Sequence, residues 1–225
     1  MSTPTPHNPL AASHETAADL LRIGAVFLRP RDPFTWASGI KSPIYCDNRL
    51  ILSDPQVRTR VEENLADLIK REFPEVEVIM GTATAGIAHA ALVANILELP
   101  MGYVRSGAKG HGRGNQIEGR LQAGQKVVLV EDLISTGGSS LDAAEALREA
   151  GANVLGIAAL FSYQMDKAAT RMAEASIDYR ALSTLDVLVE VAVAANYVTE
   201  QEGESVLTFR DYPDKWAQAQ EGTGV

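Results

Sequence analysis

VVLVEDLISTGGSS, residues 127–140, runs into LDAAEALREAG (141–151) and then a second apolar stretch, VLGIAALF (154–161). Val127 to Val130 has no polar break, as a strand buried on both faces requires. From about Ser139 to Ala150 the apolar spacing is helical, and Gly151 stands where a left-handed residue closes a helix. Val154 to Phe161 then reads as the next strand. Strand, helix and strand in succession make a parallel crossover unit.

The same alternation extends upstream. Asp54 to Phe73 is predicted as a helix opened by Asp-Pro, Val76 to Met80 as a strand, Ile87 to Leu97 as an alanine-rich helix and Met101 to Val104 as another strand. Nearer the amino terminus, Ala17 to Leu28 has the periodicity of an amphipathic helix. PFTWASGIKSPIYCDNR (33–49) reads as two short strands around Gly39, with Pro43 at an irregular edge. The expectation is an α/β fold with a mostly parallel central sheet flanked by helices and a small N-terminal subdomain. Ligands bind such sheets at the carboxyl ends of the strands, which gathers the loops after residues 80, 104 and 130. Residues 1–14 and 218–225 read as flexible ends, 15–53 as a helix and the small subdomain, and 54–217 as the core.

Composition sets the bounds. The chain has 225 residues, 46% hydrophobic and 22% charged, which suits one large domain. Its net charge of −9 argues against a general nucleic-acid or membrane binder, so an anionic substrate needs a local cluster of cations. Cys46, the only cysteine, cannot form an internal disulfide. The amino terminus lacks a basic and apolar leader, and no apolar run approaches a membrane span, so the cytoplasm is the expected compartment.

The opening stretch also carries chemistry. Backbone N–H groups of Ser135, Thr136, Gly137, Gly138 and Ser139 can form a concave nest, to which the following helix adds its positive end. The hydroxyls of Ser135, Thr136 and Ser139 add donors suited to a phosphate monoester. Glu131 and Asp132 cannot face that phosphate, since like charges repel, so they suit neutral hydroxyls or a magnesium ion beside it. A P-loop is excluded, because no lysine follows the second glycine. The plainer alternative is an ordinary strand-to-helix turn with a capping serine.

A second constellation, YVRSGAKGHGRGNQIEGR (103–120), sets Arg105, Lys109, His111, Arg113 and Arg120 among five glycines, with Glu118 its only acid. That much glycine makes ordering costly, so a mobile lid that closes on a polyanion is expected. A third, GTATAG (81–86), follows a strand and could offer further N–H donors or be a plain turn. Cys46 reads as a small buried side chain rather than a nucleophile. His89 reads as core or surface, and Trp36 and Tyr45 as packing or a ring platform.

VVLVEDLISTGGSS resembles the phosphoribosyl pyrophosphate (PRPP) signature of the type I phosphoribosyltransferases. FTWASGIKSPIYCDNR and RSGAKGHGRGNQIEG resemble the orotate phosphoribosyltransferases in particular, over roughly residues 15–200 and in that family's order. The resemblance implies the type I fold, Mg²⁺, a homodimer, and conversion of orotate and PRPP to orotidine 5′-monophosphate and pyrophosphate in pyrimidine synthesis. By position it gives Glu131 and Asp132 the ribose hydroxyls, and gives Leu133, Ile134 and the loop Ser135 to Ser139 to PRPP, with the 5′-phosphate on the loop. Arg105, Lys109 and His111 fall to the pyrophosphate, and Lys109, His111 and Asp132 are the catalytic candidates. Ser135 would also lie near orotate, with Lys41, Tyr45 and Cys46 in a hood over the ring and residues 105–119 as the lid. It further implies a strained peptide in GTATAG, cis between Ala83 and Thr84, and a lid that reaches the neighbouring subunit. Three family lysines are absent, at Ala37, Ala85 and Ser106, so this chain rests more on Lys109, Arg105 and the metal. A purine phosphoribosyltransferase and a PRPP-sensing regulator without the reaction are the alternatives.

Overall fold

The computed structural model describes residues 8–35, 41–107 and 116–221, with backbone alone at 219–221. A six-stranded sheet forms the centre. Its strands are β5 (Val78–Thr82), β6 (Met101–Val104), β7 (Ile117–Glu118), β8 (Lys126–Ile134), β9 (Asn153–Ser162) and β10 (Tyr179–Thr184), in the order β10-β9-β8-β5-β6-β7. All neighbours pair in parallel except β7, which returns antiparallel to β6. The expected mostly parallel sheet is present.

Strand β8 shows why its run is apolar throughout. Val128 and Val130 enter one core, while Val127 and Leu129 enter the other on the opposite face. The first core lies under α1 (Pro9–Arg22), α2 (Pro55–Glu72), α3 (Gly86–Leu97), α6 (Leu185–Ala194) and α7 (Glu200–Asp211). The second lies under α4 (Gly138–Glu149) and α5 (Asp166–Glu174). A last helix, α8 (Pro213–Glu221), lays Trp216 edge-on to Phe209. Among the described residues no helix is long and apolar enough to cross a membrane.

Several boundaries follow local chemistry as expected. Asp54 caps α2, accepting from the N–H groups of Gln56 and Val57, and Pro55 opens the helix. Gly151 closes α4 at φ 87°. Others moved. Helix α1 starts at Pro9 behind an Asn8 cap and ends at Arg22, so the stretch 9–14, expected to be a loose end, is helical. Val26–Leu28, assigned to that helix by periodicity, is instead strand β1, drawn out by antiparallel pairing with β4 (Ile44–Cys46). A tighter helical turn, Asn48–Ser53, follows β4. The two short strands expected around Gly39 are β2 (Phe34–Thr35) and β3 (Lys41–Ser42), which pair antiparallel. Gly39 between them, with Trp36 and Ala37, lies outside the described residues.

His89 is wholly buried, with Nδ1 2.5 Å from Glu62 Oε1, and joins α3 to α2. Burial raises the Glu62 carboxyl above its ordinary range, and His89 pulls it partly back.

Candidate active site

β8 does not stop at Val130. It remains paired with β9 through Glu131, Leu133 and Ile134, because β9 is long enough to supply Ala159, Phe161 and Ser162 opposite them. The two acids therefore sit within the strand's last turnings, and period-two alternation separates them. Glu131 follows Leu129 toward the α4 side and is only 5% exposed. Its Oε1 accepts from Thr82 Oγ1 at 2.5 Å and from the Asp132 N–H at 3.1 Å. Its Oε2 accepts from Ser140 Oγ at 2.8 Å and, at 3.5 Å, from Ser139 Oγ. Glu131 thus braces β5, β8 and the start of α4 together. Burial pushes its carboxyl up to about 7, with the Asp132 charge adding to the rise and the Thr82 and Ser140 hydroxyls opposing it.

Asp132 is half-buried. Of the two acids matched to ribose hydroxyls, it is the one with exposed surface. Its carbonyl accepts from Asn48 Nδ2 at 2.7 Å, which straps the turn after β4 to the end of β8. Asn48, within CDNR (46–49), carried no sequence signal of its own, since its partner is 84 residues away. Ile134 is fully buried, so only its backbone could meet a ligand, whereas Leu133 packs on the core and stays half-buried. The Ile134 carbonyl is already taken by Tyr163 N–H at 2.9 Å. Of the two, Ile134 is removed as a side-chain contact.

The nest follows. Gly137 adopts φ 76° as the residue before α4, and no side chain caps that helix. Ser135 and Thr136 are half-buried and Ser139 is exposed. The first N–H groups of α4 therefore have no partner within the helix and remain free for an acceptor from outside. Beside the nest, β5 ends at Thr82 and the peptide Ala83–Thr84 is cis, as the resemblance implied. The glycines of GTATAG are explained by packing. A Cβ on Gly86 would stand 2.5 Å from Thr82 Oγ1 and 2.6 Å from the Val130 carbonyl, so only glycine lets α3 start this close to β5 and β8.

Strands β6 and β7 hold the two ends, or feet, of the stretch expected to be a lid. Arg105 N–H donates to the Gln116 carbonyl at 2.9 Å, and Arg105 Nε lies 3.1 Å from Glu118 Oε1. Lys109 and His111 fall outside the described residues. Between these feet and the nest opens a cavity of about 390 Å³ lined by Thr82, Ala83, Arg105, Gln116, Ser139 and Asp142. Ala85 is half-buried and Ser106 exposed, and neither offers a cation.

In the hood, Lys41 Nζ donates to Thr35 Oγ1 at 2.9 Å. Tyr45 is 42% exposed, its ring 5.5 Å from that of Phe34. Cys46 Sγ is engaged with Asn48 Oδ1 at 3.2 Å, and burial, helped by Asp132 and Asp47, lifts the thiol far above its ordinary range. Such a thiol stays protonated and is no nucleophile. Tyr163, at the end of β9, is 3% exposed and is raised above its ordinary range by burial, then by Cys46 and Asp132. It therefore shares their surroundings, though nothing in its sequence neighbourhood marked it.

The model of the phosphoribosyl transferase domain matches residues 49–198. The orotate phosphoribosyltransferase of Listeria innocua is 56% identical over 207 residues, covering 92% of this chain and 99% of that protein. The enzyme of the same name from Enterococcus faecalis is 56% identical over 200 residues, 89% of this chain and 95% of its own. The crystal structure of orotate phosphoribosyltransferase from Aeropyrum pernix superposes with a TM-score of 0.70 at 31% identity, over 81% of this chain and 98% of that one. With that domain match and these relatives, the chain belongs to the phosphoribosyl transferase domain family and, within it, to the orotate phosphoribosyltransferases.

Proposed function

We propose that the chain transfers the 5-phosphoribosyl group of PRPP to orotate, forming orotidine 5′-monophosphate and pyrophosphate, a step of pyrimidine synthesis. The observation that supports this best is the convergence of an uncapped helix start, Asp132 and the loop after Thr82 on one strand-end cleft, with the hood strapped to it through Asn48. In this reading residues 15–53 cover the base and 54–217 bind PRPP beneath the lid 105–119. The loop Ser135 to Ser139 takes the 5′-phosphate, and Asp132 takes the ribose hydroxyls while Glu131 holds the strand end in shape.

As the bond from the anomeric carbon to pyrophosphate breaks, its electrons go to the leaving oxygen; the orotate ring nitrogen forms the new bond to that carbon and gives up its N–H proton to pyrophosphate or solvent. Negative charge builds on pyrophosphate, so the cations Arg105, Lys109 and His111 belong there. Lys41, Tyr45, Cys46 and Ser135 surround the ring and exclude water, which keeps the attack in line. Among the described residues there is no group of three or more His, Cys, Asp or Glu side chains able to cage a metal. A magnesium ion would be held by Asp132 together with oxygens of PRPP, in keeping with that ion's habit of taking substrate oxygens as ligands. Bound there, it would supply positive charge to the leaving group. Two subunits form the working unit, each lid serving its neighbour.

The test is purified protein with PRPP and Mg²⁺ against orotate, uracil and hypoxanthine, followed by loss of the orotate absorbance. Orotate alone should be consumed. Turnover of uracil or hypoxanthine without orotate overturns the assignment.

A further inference from the structure

Helix α5 runs beside the nest, and one of its side chains has no part in the chemistry above. Arg171 Nη1 donates to the Thr136 carbonyl at 3.3 Å. The same nitrogen lies 3.5 Å from where a Cβ on Gly138 would stand. Met172 sits under Gly137, where a Cβ would come within 3.0 Å of its Cε. Helix α5 therefore reaches three consecutive loop residues, Thr136, Gly137 and Gly138. Arg171 is exposed and, among the described residues, forms no ion pair with a carboxylate.

The peptide between Thr136 and Gly137 is trans, so its carbonyl and its N–H point in opposite directions. Holding the carbonyl toward α5 turns the Gly137 N–H away from α5. A charged donor on that carbonyl also polarises the peptide and makes its N–H a stronger donor. The need for such help is clear from the surroundings: a doubly charged phosphate must enter a chain of net charge −9 whose nearest strand end carries Asp132.

We propose that Arg171 is a positioning residue for the 5′-phosphate end of the donor: it fixes the Thr136–Gly137 peptide with its N–H presented to the phosphate and offsets that group's charge. This rests on the reading of the nest given under the proposed function. It assigns a role in substrate binding to a helix outside the PRPP signature.

The experiment compares wild type, Arg171→Ala and Arg171→Lys. It measures kcat, KM for PRPP, and inhibition by ribose 5-phosphate, which carries only the phosphate end, and by pyrophosphate, which carries only the other. In Arg171→Ala, the PRPP KM and the ribose 5-phosphate inhibition constant should rise about tenfold, as expected for loss of one charged hydrogen bond. The kcat and the pyrophosphate constant should stay within about twofold, and the lysine variant should recover part of the loss. Unchanged constants for both phosphate-ended ligands overturn the proposal. Equal weakening of pyrophosphate also overturns it, because the effect would then be general damage to the cleft. A wild type inert toward PRPP and orotate would instead sink the functional reading. In that event, calorimetric binding of ribose 5-phosphate to wild type and Arg171→Ala still decides for or against Arg171.

Discussion

Glu131 and Asp132 are chemically alike and adjacent, yet the strand gives them different work. Glu131 is held by Thr82, Ser140 and the Asp132 N–H in a buried pocket, with its carboxyl raised to about 7. Since the folded value lies above the unfolded one, the folded state binds the extra proton. Below about pH 4.5 no penalty is present; it grows as pH rises and is complete above about 7, where it reaches about 3 kcal/mol. Glu131→Gln should therefore gain melting temperature relative to wild type on going from pH 5 to pH 8, measured on the ligand-free protein. A difference that does not change with pH would show that Glu131 titrates as an ordinary surface acid. Asp132→Asn belongs to function instead. It should lower kcat/KM for PRPP by about tenfold or more with little change in melting temperature, because the side chain is half-buried at a strand end. An unaltered kcat/KM would remove Asp132 from the site.

At the scale of elements, what the sequence revealed was whatever is decided nearby. The Val127–Val130 run, the Asp54-Pro55 start of α2 and Gly151 after α4 are local signals, and each appears in place. The extension of β8 to Ile134 was not legible, because its cause is the length of β9. Nor was β1, whose apolar residues fit a helical period and were claimed by β4 through tertiary pairing. The uncapped start of α4 was readable as glycine and hydroxyl residues before a helix. Its supports were not: Thr82 and Asn48 lie 49 and 84 residues from the acids they hold or touch. The packing at Gly86 gives a sharp check. An added methyl there meets Thr82 Oγ1 and a β8 carbonyl, so Gly86→Ala should destabilise by about 1–3 kcal/mol in denaturant unfolding and also disturb the Thr82–Glu131 contact. A variant as stable as wild type would mean that α3 does not start against the sheet.

For the whole molecule, the central question is whether one chain holds a complete site. Lys109→Ala should lower turnover by about 10², by analogy with loss of a group that stabilises developing charge. Mixing equal amounts of inactive Lys109→Ala and Asp132→Ala subunits under exchange tests the sharing proposed above. Random pairing makes about half of the dimers mixed, and each rebuilds one site of two, so activity should return to about a quarter of wild type. No recovery despite proven exchange would place the lid over its own subunit's cleft.

The antiparallel pairing of β6 with β7 pins both feet of the lid, Arg105 against Gln116 and Tyr103 against Glu118. On the proposed reading of 105–119 as a lid, the stretch between those two ends is in polymer terms a tether, and its contour length sets how concentrated its cations would be over the cleft. Doubling a closed loop adds only about 0.6 kcal/mol to its closure entropy. The local concentration of a tethered group, however, falls roughly as the three-halves power of length, about threefold for a doubling. Inserting ten Gly and Ser residues after Gly107 should thus leave unfolding almost unchanged while turnover drops about threefold. Lid length, as much as lid sequence, is then a quantity on which selection for catalysis acts without touching the fold.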